Sequence, residues 1–474
     1  ALGVAEPAAS GIGGQTAMLI HTAEPRRTFA LDGSSRVPSR ATIEYFGDRD
    51  TRLTGHRAAT VPSTLAALAY ALQRYGTMPL ARVLEPAIQL AREGCIVTEM
   101  QAAIQRMKAD HLVRGGAAPF FLHDGKKPHS PGATFRQPVL ADTLECIARD
   151  GIETFYLGDM AAEIEADMLA NGGFIRRDDL ALIPNPIERR PVSAKFRNTR
   201  AITYGPPGAG RTLVEILNVL ERFEPKHYDP DSLEGLLLLA EVFRRAQFDR
   251  RDRPYEPNFY QQVDERQMVS RQYAATVAKK LRQRLSKLRG ETTHLSVMDG
   301  KGNVVALTQS IERIYGAGAA CPKLGFLYNN YMAAFEYKDM AHPYYVRPNA
   351  VPWASVAPTI LFRGRMPYLA IGSPGSVRIA PSIAQVLVRL EKRQSLLDAI
   401  TAPRIHCSHD SLVWMETARL RNDLPAALEK RGFRVREMAP FSFYLGCVQA
   451  VLATRKTLYG AADPRRDGSA KGPP

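Results

Sequence analysis

The sequence predicts a mixed α/β (α+β) protein whose sheets are flanked by helices on both sides. Two observations carry that reading: helix-like and strand-like stretches alternate as far as Tyr204, and strands cluster just after Thr292 before two further helices. A third sets the scale. With 474 residues and 45% hydrophobic content the chain can bury a large core, and length alone allows about two to four domains.

Taken in order, residues 18–21 and 28–31 read as short strands around a polar turn. Ser63 is placed to cap a helix whose apolar positions Leu65, Leu68 and Leu72 end at Gly76. A second helix runs over 80–94 through Leu84, Ile88 and Ala91, and a long amphipathic stretch covers 233–248. Residues 270–289, rich in Lys and Arg, read as a helix followed by a mobile linker, which is where a processing site should lie. Beyond it, 293–298, 304–310, 357–362 and 368–371 read as strands, and 379–389 and 424–431 as helices.

Composition removes several function classes. The net charge of +15 is spread along the chain with no nucleic-acid-binding motif, so it describes a basic surface suited to anionic substrates or membrane surfaces. No apolar run approaches the length of a transmembrane helix. The five cysteines are odd in number and widely separated, unlike a disulfide framework or a zinc ribbon. His406-Cys407-Ser408-His409 is the one metal-like spacing, and it lacks a second ligand pair. No metal and no cofactor are expected.

The chemistry centres on Thr292-Thr293-His294, a β-branched strand start that follows the basic segment. Cutting the bond between Glu291 and Thr292 would give Thr292 a free α-amino group beside its own hydroxyl, placing nucleophile and general base on one residue. With a reference pKa of about 7.7–8.0, that amine is partly neutral near neutral pH and can take the hydroxyl proton. His294 is read as a structural hydrogen-bonding residue, since the amine already serves as base.

Around this point a series of motifs stands in colinear order. Gly11-Ile12-Gly13-Gly14, Val61-Pro62-Ser63, Glu93-Gly94, Pro138-Val139-Leu140-Ala141, Phe155-Tyr156-Leu157-Gly158 and Gly172-Gly173 with Asp178-Asp179-Leu180 precede it. Gly372-Ser373-Pro374-Gly375, Ala402-Pro403-Arg404-Ile405-His406 and Asp463-Pro464-Arg465-Arg466-Asp467-Gly468 follow. With Thr-Thr-His between them, nearly the whole chain resembles the γ-glutamyltranspeptidase family of N-terminal-nucleophile hydrolases. The resemblance implies a four-layer αββα sandwich shared by two autoprocessed subunits: a large one over 1–291, lacking the family's first segment, and a small catalytic one over 292–474. Leu2 to Pro7 resemble a point inside the family's large subunit, so a signal peptide and the first helices are expected to precede them, and the compartment stays open between periplasm and cytoplasm.

The same resemblance assigns roles. Thr292 is the nucleophile, Ser310 the second hydroxyl eighteen positions on, and the backbone N–H groups of Gly375 and Ser376 hold the oxyanion. Ser376 replaces a glycine there, so a positive φ would strain it. Substrate contacts depart from the family pattern. Ser34 stands where the carboxylate-binding Arg is usual, with Arg36 two residues on as a substitute. Glu312 and Tyr331 replace polar residues, Ala334 replaces an acid, and Ser355 is kept beside Ala354. Unmodified γ-glutamyl recognition is therefore not expected, and the substrate is read as a small-molecule amide with a γ-glutamyl or related acyl group.

Two other readings compete. Gly205-Pro206-Pro207-Gly208-Ala209-Gly210-Arg211-Thr212 matches a phosphate-binding loop except that Arg211 stands where Lys is needed, and the guanidinium does not fit that cradle equivalently. The pocket departures also suit a processed but inactive family member.

Overall fold

The computed structural model describes residues 1–46, 48–183, 185–252, 270, 272–274, 292–455 and 457–472. Among these, two large antiparallel sheets stack face to face. The first has five strands in the order Ile187–Arg189, Arg27–Gly33, Gln15–Thr22, Val304–Ser310 and Thr293–Met298. The second has six, in the order Leu458–Ala462, Gln449–Ala453, Met366–Gly372, Thr359–Arg363, Thr199–Thr203 and Val192–Phe196. Each sheet therefore joins strands from before and after residue 292.

Alternation along the strands builds the layers. Ala17, Leu19 and Ala30 turn inward with Val304 and Ala306 to meet Ile202, Ile360, Phe362 and Ala370 of the opposite sheet. Met18, Ile20, Phe29 and Leu31 turn outward onto Ala67 and Leu68 of the helix Thr64–Tyr75. On the far side, the helices Gly210–Leu220, Leu233–Asp252 and Ile379–Glu391 cover the six-stranded sheet through Leu213, Leu217, Leu236, Leu239 and Ile383. Helix, sheet, sheet, helix is the four-layer αββα sandwich. A separate helical core packs Leu80–Glu93 against Pro138–Asp150.

Several local expectations change. Ser63 does occupy the N-cap position, but its hydroxyl donates to the carbonyl of Gly33 at 2.6 Å instead of capping the helix. The first two strands are longer than their apolar cores suggested, because Gln15, Thr16 and Asp32 are polar residues buried inside the sandwich. Most of 270–289 lies outside the described residues, and so does Glu291. No described helix is long and apolar enough to cross a membrane.

Candidate active site

Thr292 stands one residue before its strand and is buried. Thr293 pairs with Gln309, so continuing the register by one residue sets Thr292 opposite Ser310. Ser310 is in turn opposite Gln15. The ends of three strands meet here. The carbonyl of Thr292 accepts a hydrogen bond from Arg466 Nη1 at 3.0 Å, and the Thr293 hydroxyl donates to Glu6 at 2.7 Å.

Arg466 lies 3.7 Å from Glu6 and adjoins a buried knot of charge, its backbone N–H bonded to the Asp463 carbonyl at 3.3 Å. Arg465 Nε lies 2.7 Å from Glu416 and its Nη1 3.0 Å from Asp463, while Arg404 Nη2 lies 2.6 Å from the other Asp463 oxygen. Burial pushes the Asp463 carboxyl upward, yet the Arg404 and Arg465 guanidiniums hold it below the usual carboxylate range. The Ala-Pro-Arg and Asp-Pro-Arg-Arg motifs are thus one structural unit that ends on Thr292.

The turn after Met366–Gly372 supplies the complementary part. Gly375 has φ 119° and Ser376 φ 55°, both left-handed. A Cβ on Gly375 would sit 3.1 Å from the Cα of Gly446, so glycine is required there. The N–H groups of Gly375 and Ser376 have no acceptor among the described residues, whereas Arg378 N–H closes the turn onto the Gly375 carbonyl at 3.1 Å. Adjacent unengaged donors are what a developing oxyanion needs. Ser376 tolerates its φ at a cost of about 1–2 kcal/mol.

Of the substrate residues, Ser34 and Tyr331 line a narrow cavity with Gln15, Ser310, Tyr204 and Ala354. The Ser34 hydroxyl donates to Asp32, whose other oxygen takes Arg189 Nε at 2.7 Å. Burial, then the charge of Glu312, pushes the Tyr331 phenol well up, so it stays a neutral hydroxyl beside Ser310. Glu312 N–H donates to Ser310 Oγ at 2.9 Å. Ser355 Oγ lies 3.4 Å from Ser376 Oγ, which ties it to the oxyanion turn. Arg36 does not join this group; its Nη1 donates to the Asn349 carbonyl at 3.1 Å. Ala334 is buried and does not line the cavity.

His294 bridges Thr308 Oγ1 and Ser296 Oγ, each at 2.9 Å, and its ring lies against Gly372 of the facing sheet. Burial lowers its pKa to about 3, so it is a neutral structural residue. In the loop before Gly210–Leu220, Gly208 N–H bonds the Gly205 carbonyl, Thr212 N–H bonds that of Ala209, and Ala209 N–H reaches out to Val356. With Ala354 N–H bonded to the Pro207 carbonyl as well, the turn seats the 354–356 segment at the site.

Two residues carry site contacts that the sequence reading missed. Arg466 sits in a quoted motif with no assigned role. Arg250, in the last turn of Leu233–Asp252, lies just beyond the stretch the sequence marks as helical; its Nη2 donates to Ala354 O at 2.8 Å and to Ser355 Oγ at 3.2 Å.

A hydroxyl residue heading a strand inside a four-layer αββα sandwich is the arrangement of the N-terminal-nucleophile hydrolases. Within that class the chain belongs to the γ-glutamyltranspeptidase family, whose family model, Gamma-glutamyltranspeptidase, matches residues 1–472. It is 32% identical to the glutathione hydrolase proenzyme of Escherichia coli K12, over 98% of this chain and 84% of that one. It is 33% identical to the acylase ACY 1 proenzyme of Pseudomonas sp. SE83, over 99% of this chain and 87% of that one. The crystal structure of cephalosporin acylase from Bacillus halodurans superposes with a TM-score of 0.89 at 28% identity, covering 99% of this chain and 88% of that one. The chain is accordingly an amidohydrolase or transferase of this family.

Proposed function

We propose that the chain is cut between Glu291 and Thr292 and that Thr292 then acts as the N-terminal nucleophile of an amidohydrolase. The observation that carries this reading is the strand register that sets residue 292 opposite Ser310, at the end of the sandwich where the Gly375–Ser376 turn leaves its donors open. In the first half-reaction the neutral α-amine takes the hydroxyl proton as Thr292 Oγ attacks the amide carbonyl carbon. The N–H groups of Gly375 and Ser376 receive the oxyanion. The C–N bond breaks, the leaving amine takes the proton back from the α-ammonium, and an ester on Thr292 remains. Water, or an acceptor amine, then attacks the ester by the same route.

Ser310 positions the Thr292 hydroxyl, and Arg466 fixes the backbone that bears it. The relatives named as proenzymes support processing from one precursor into two pieces, 1–291 and 292–474. Denaturing gels with N-terminal sequencing test the proposal. Purified protein should yield a fragment beginning Thr-Thr-His, and Thr292→Ala should stay full length. A folded wild-type protein that remains a single band after long incubation would refute it.

A further inference from the structure

At the end of the sandwich away from Thr292, the two sheets leave a cleft of about 1000 Å³. His21 and Thr28 of the five-stranded sheet line one side of it, and Lys195, Arg200, Ile202 and Phe362 of the six-stranded sheet line the other. His21 lies along the same strand as Gln15, about 20 Å from the catalytic end. No residue lines both this cleft and the cavity beside Ser310.

Strand alternation brings charge here to a face that is apolar elsewhere. Ile202 and Phe362 belong to the core between the sheets, and Arg200 is the next residue on the Ile202 side of its strand. In the ladder Arg200 is paired with Lys195 on one side and with Phe362 on the other. Like charges directly opposite destabilise a sheet, and no Asp or Glu lines the cleft to offset them. Arg26 and Arg365 add two more cations from exposed turns. Among the described residues Arg26, Lys195, Arg200 and Arg365 have no ion-pair partner, whereas Arg197 is taken up by Glu221 and Tyr228. The Arg200 guanidinium rests 5.6 Å from the centre of the Phe362 ring, which in turn meets His21 edge-on at 5.0 Å.

We propose that this cleft binds a small soluble anion carrying two or more phosphate groups. Guanidiniums grip phosphate oxygens in a planar fork, and the Lys195 ammonium adds a point charge beside them. A single carboxylate would offset only one of the four cations. They converge on a recess between two sheets, which a compact anion can enter and a flat bilayer surface cannot, and its volume is that of a small-molecule site. Arg26, Lys195 and Arg200 precede residue 292 and Arg365 follows it, so the bound anion would bridge both sides of that point in the chain.

Calorimetric titration of the purified protein with tripolyphosphate at low ionic strength tests the site. The wild type should bind it saturably and more tightly than inorganic phosphate, and the double variant Lys195→Gln with Arg200→Gln should bind it about 10- to 150-fold more weakly. Because that variant removes an opposed pair of charges, it should unfold at no lower a temperature than the wild type, and tripolyphosphate should raise the midpoint of the wild type alone. Should it fail to fold, Arg26→Gln with Arg365→Gln, both on exposed turns, should show the same loss of binding. Saturable binding absent from the wild type, or undiminished in the folded variants, overturns the site. So does co-sedimentation with phosphatidylglycerol vesicles in the absence of tripolyphosphate binding, which would make these cations a lipid-facing surface.

Discussion

A reaction that uses the α-amine of Thr292 as base should show its protonation directly. Amidase activity should rise with pH through an apparent pKa of about 7–8, since the amine must be neutral to accept the hydroxyl proton. The measurement is kcat/KM across pH 5.5–9.5, a span of about four units around that value. A rate that is flat across that range would require a different base. His294 cannot supply one, because its two ring nitrogens are engaged by Thr308 and Ser296 and its pKa is lowered to about 3.

The charge knot around Asp463 makes a second prediction at this scale. Its carboxyl is held below its unfolded value, so its contribution is complete above about pH 4 and is lost as pH falls through the lower folded value. Asp463→Asn leaves Arg404 and Arg465 short of a buried partner and should cost about 3–5 kcal/mol at pH 7. Urea titrations at neutral and acid pH should show the deficit narrowing at acid pH. Because Arg466 follows directly and holds the Thr292 carbonyl, processing of this variant should slow as well.

Among the elements, the strands Thr293–Met298 and Met366–Gly372 depend on each other across the sandwich. A Cβ on Gly372 would fall 2.2 Å from His294 Cε1, so Gly372→Ala should force the ring aside and cost about 1–3 kcal/mol, with the oxyanion turn displaced. Thermal unfolding and kcat together check this, and the double variant with His294→Ala should regain part of the loss. Much of this element structure was legible in the sequence. The polar Asp299–Asn303 turn separates two strand-like segments, of which 304–307 is a continuous apolar run, and the helices after Ile379 carry a periodic apolar stripe. The strands Val192–Phe196 and Gln449–Ala453 were not, because each is short and only partly buried, which blurs the inside-outside pattern. The site divides in the same way. Thr292, Ser310 and the Gly375–Ser376 turn lie in or beside motifs whose roles the family resemblance implies. Arg250 comes from a helix distant in sequence, and only tertiary packing brings its guanidinium to Ser355.

For the whole molecule, the decisive fact is that Gln15–Thr22 lies between Arg27–Gly33 and Val304–Ser310 in one continuous ladder. A chain cut before Thr292 should therefore remain one particle. Gel filtration of the processed protein at nanomolar concentration should show both pieces co-eluting, and they should separate only in denaturant, together with loss of secondary structure. Elution as two separate species under native conditions would contradict the shared-core reading.

That interleaving also sets how mutations behave in a cell carrying two different copies of the gene. The strand after Val304 cannot leave its neighbour without breaking a ladder buried on both faces, so each mature molecule keeps the two pieces made from one polypeptide. A copy defective within residues 1–291 and another defective at Thr292 should not complement each other, and two isotopically labelled populations mixed after maturation should not scramble. Function in this protein should then be inherited strictly in cis.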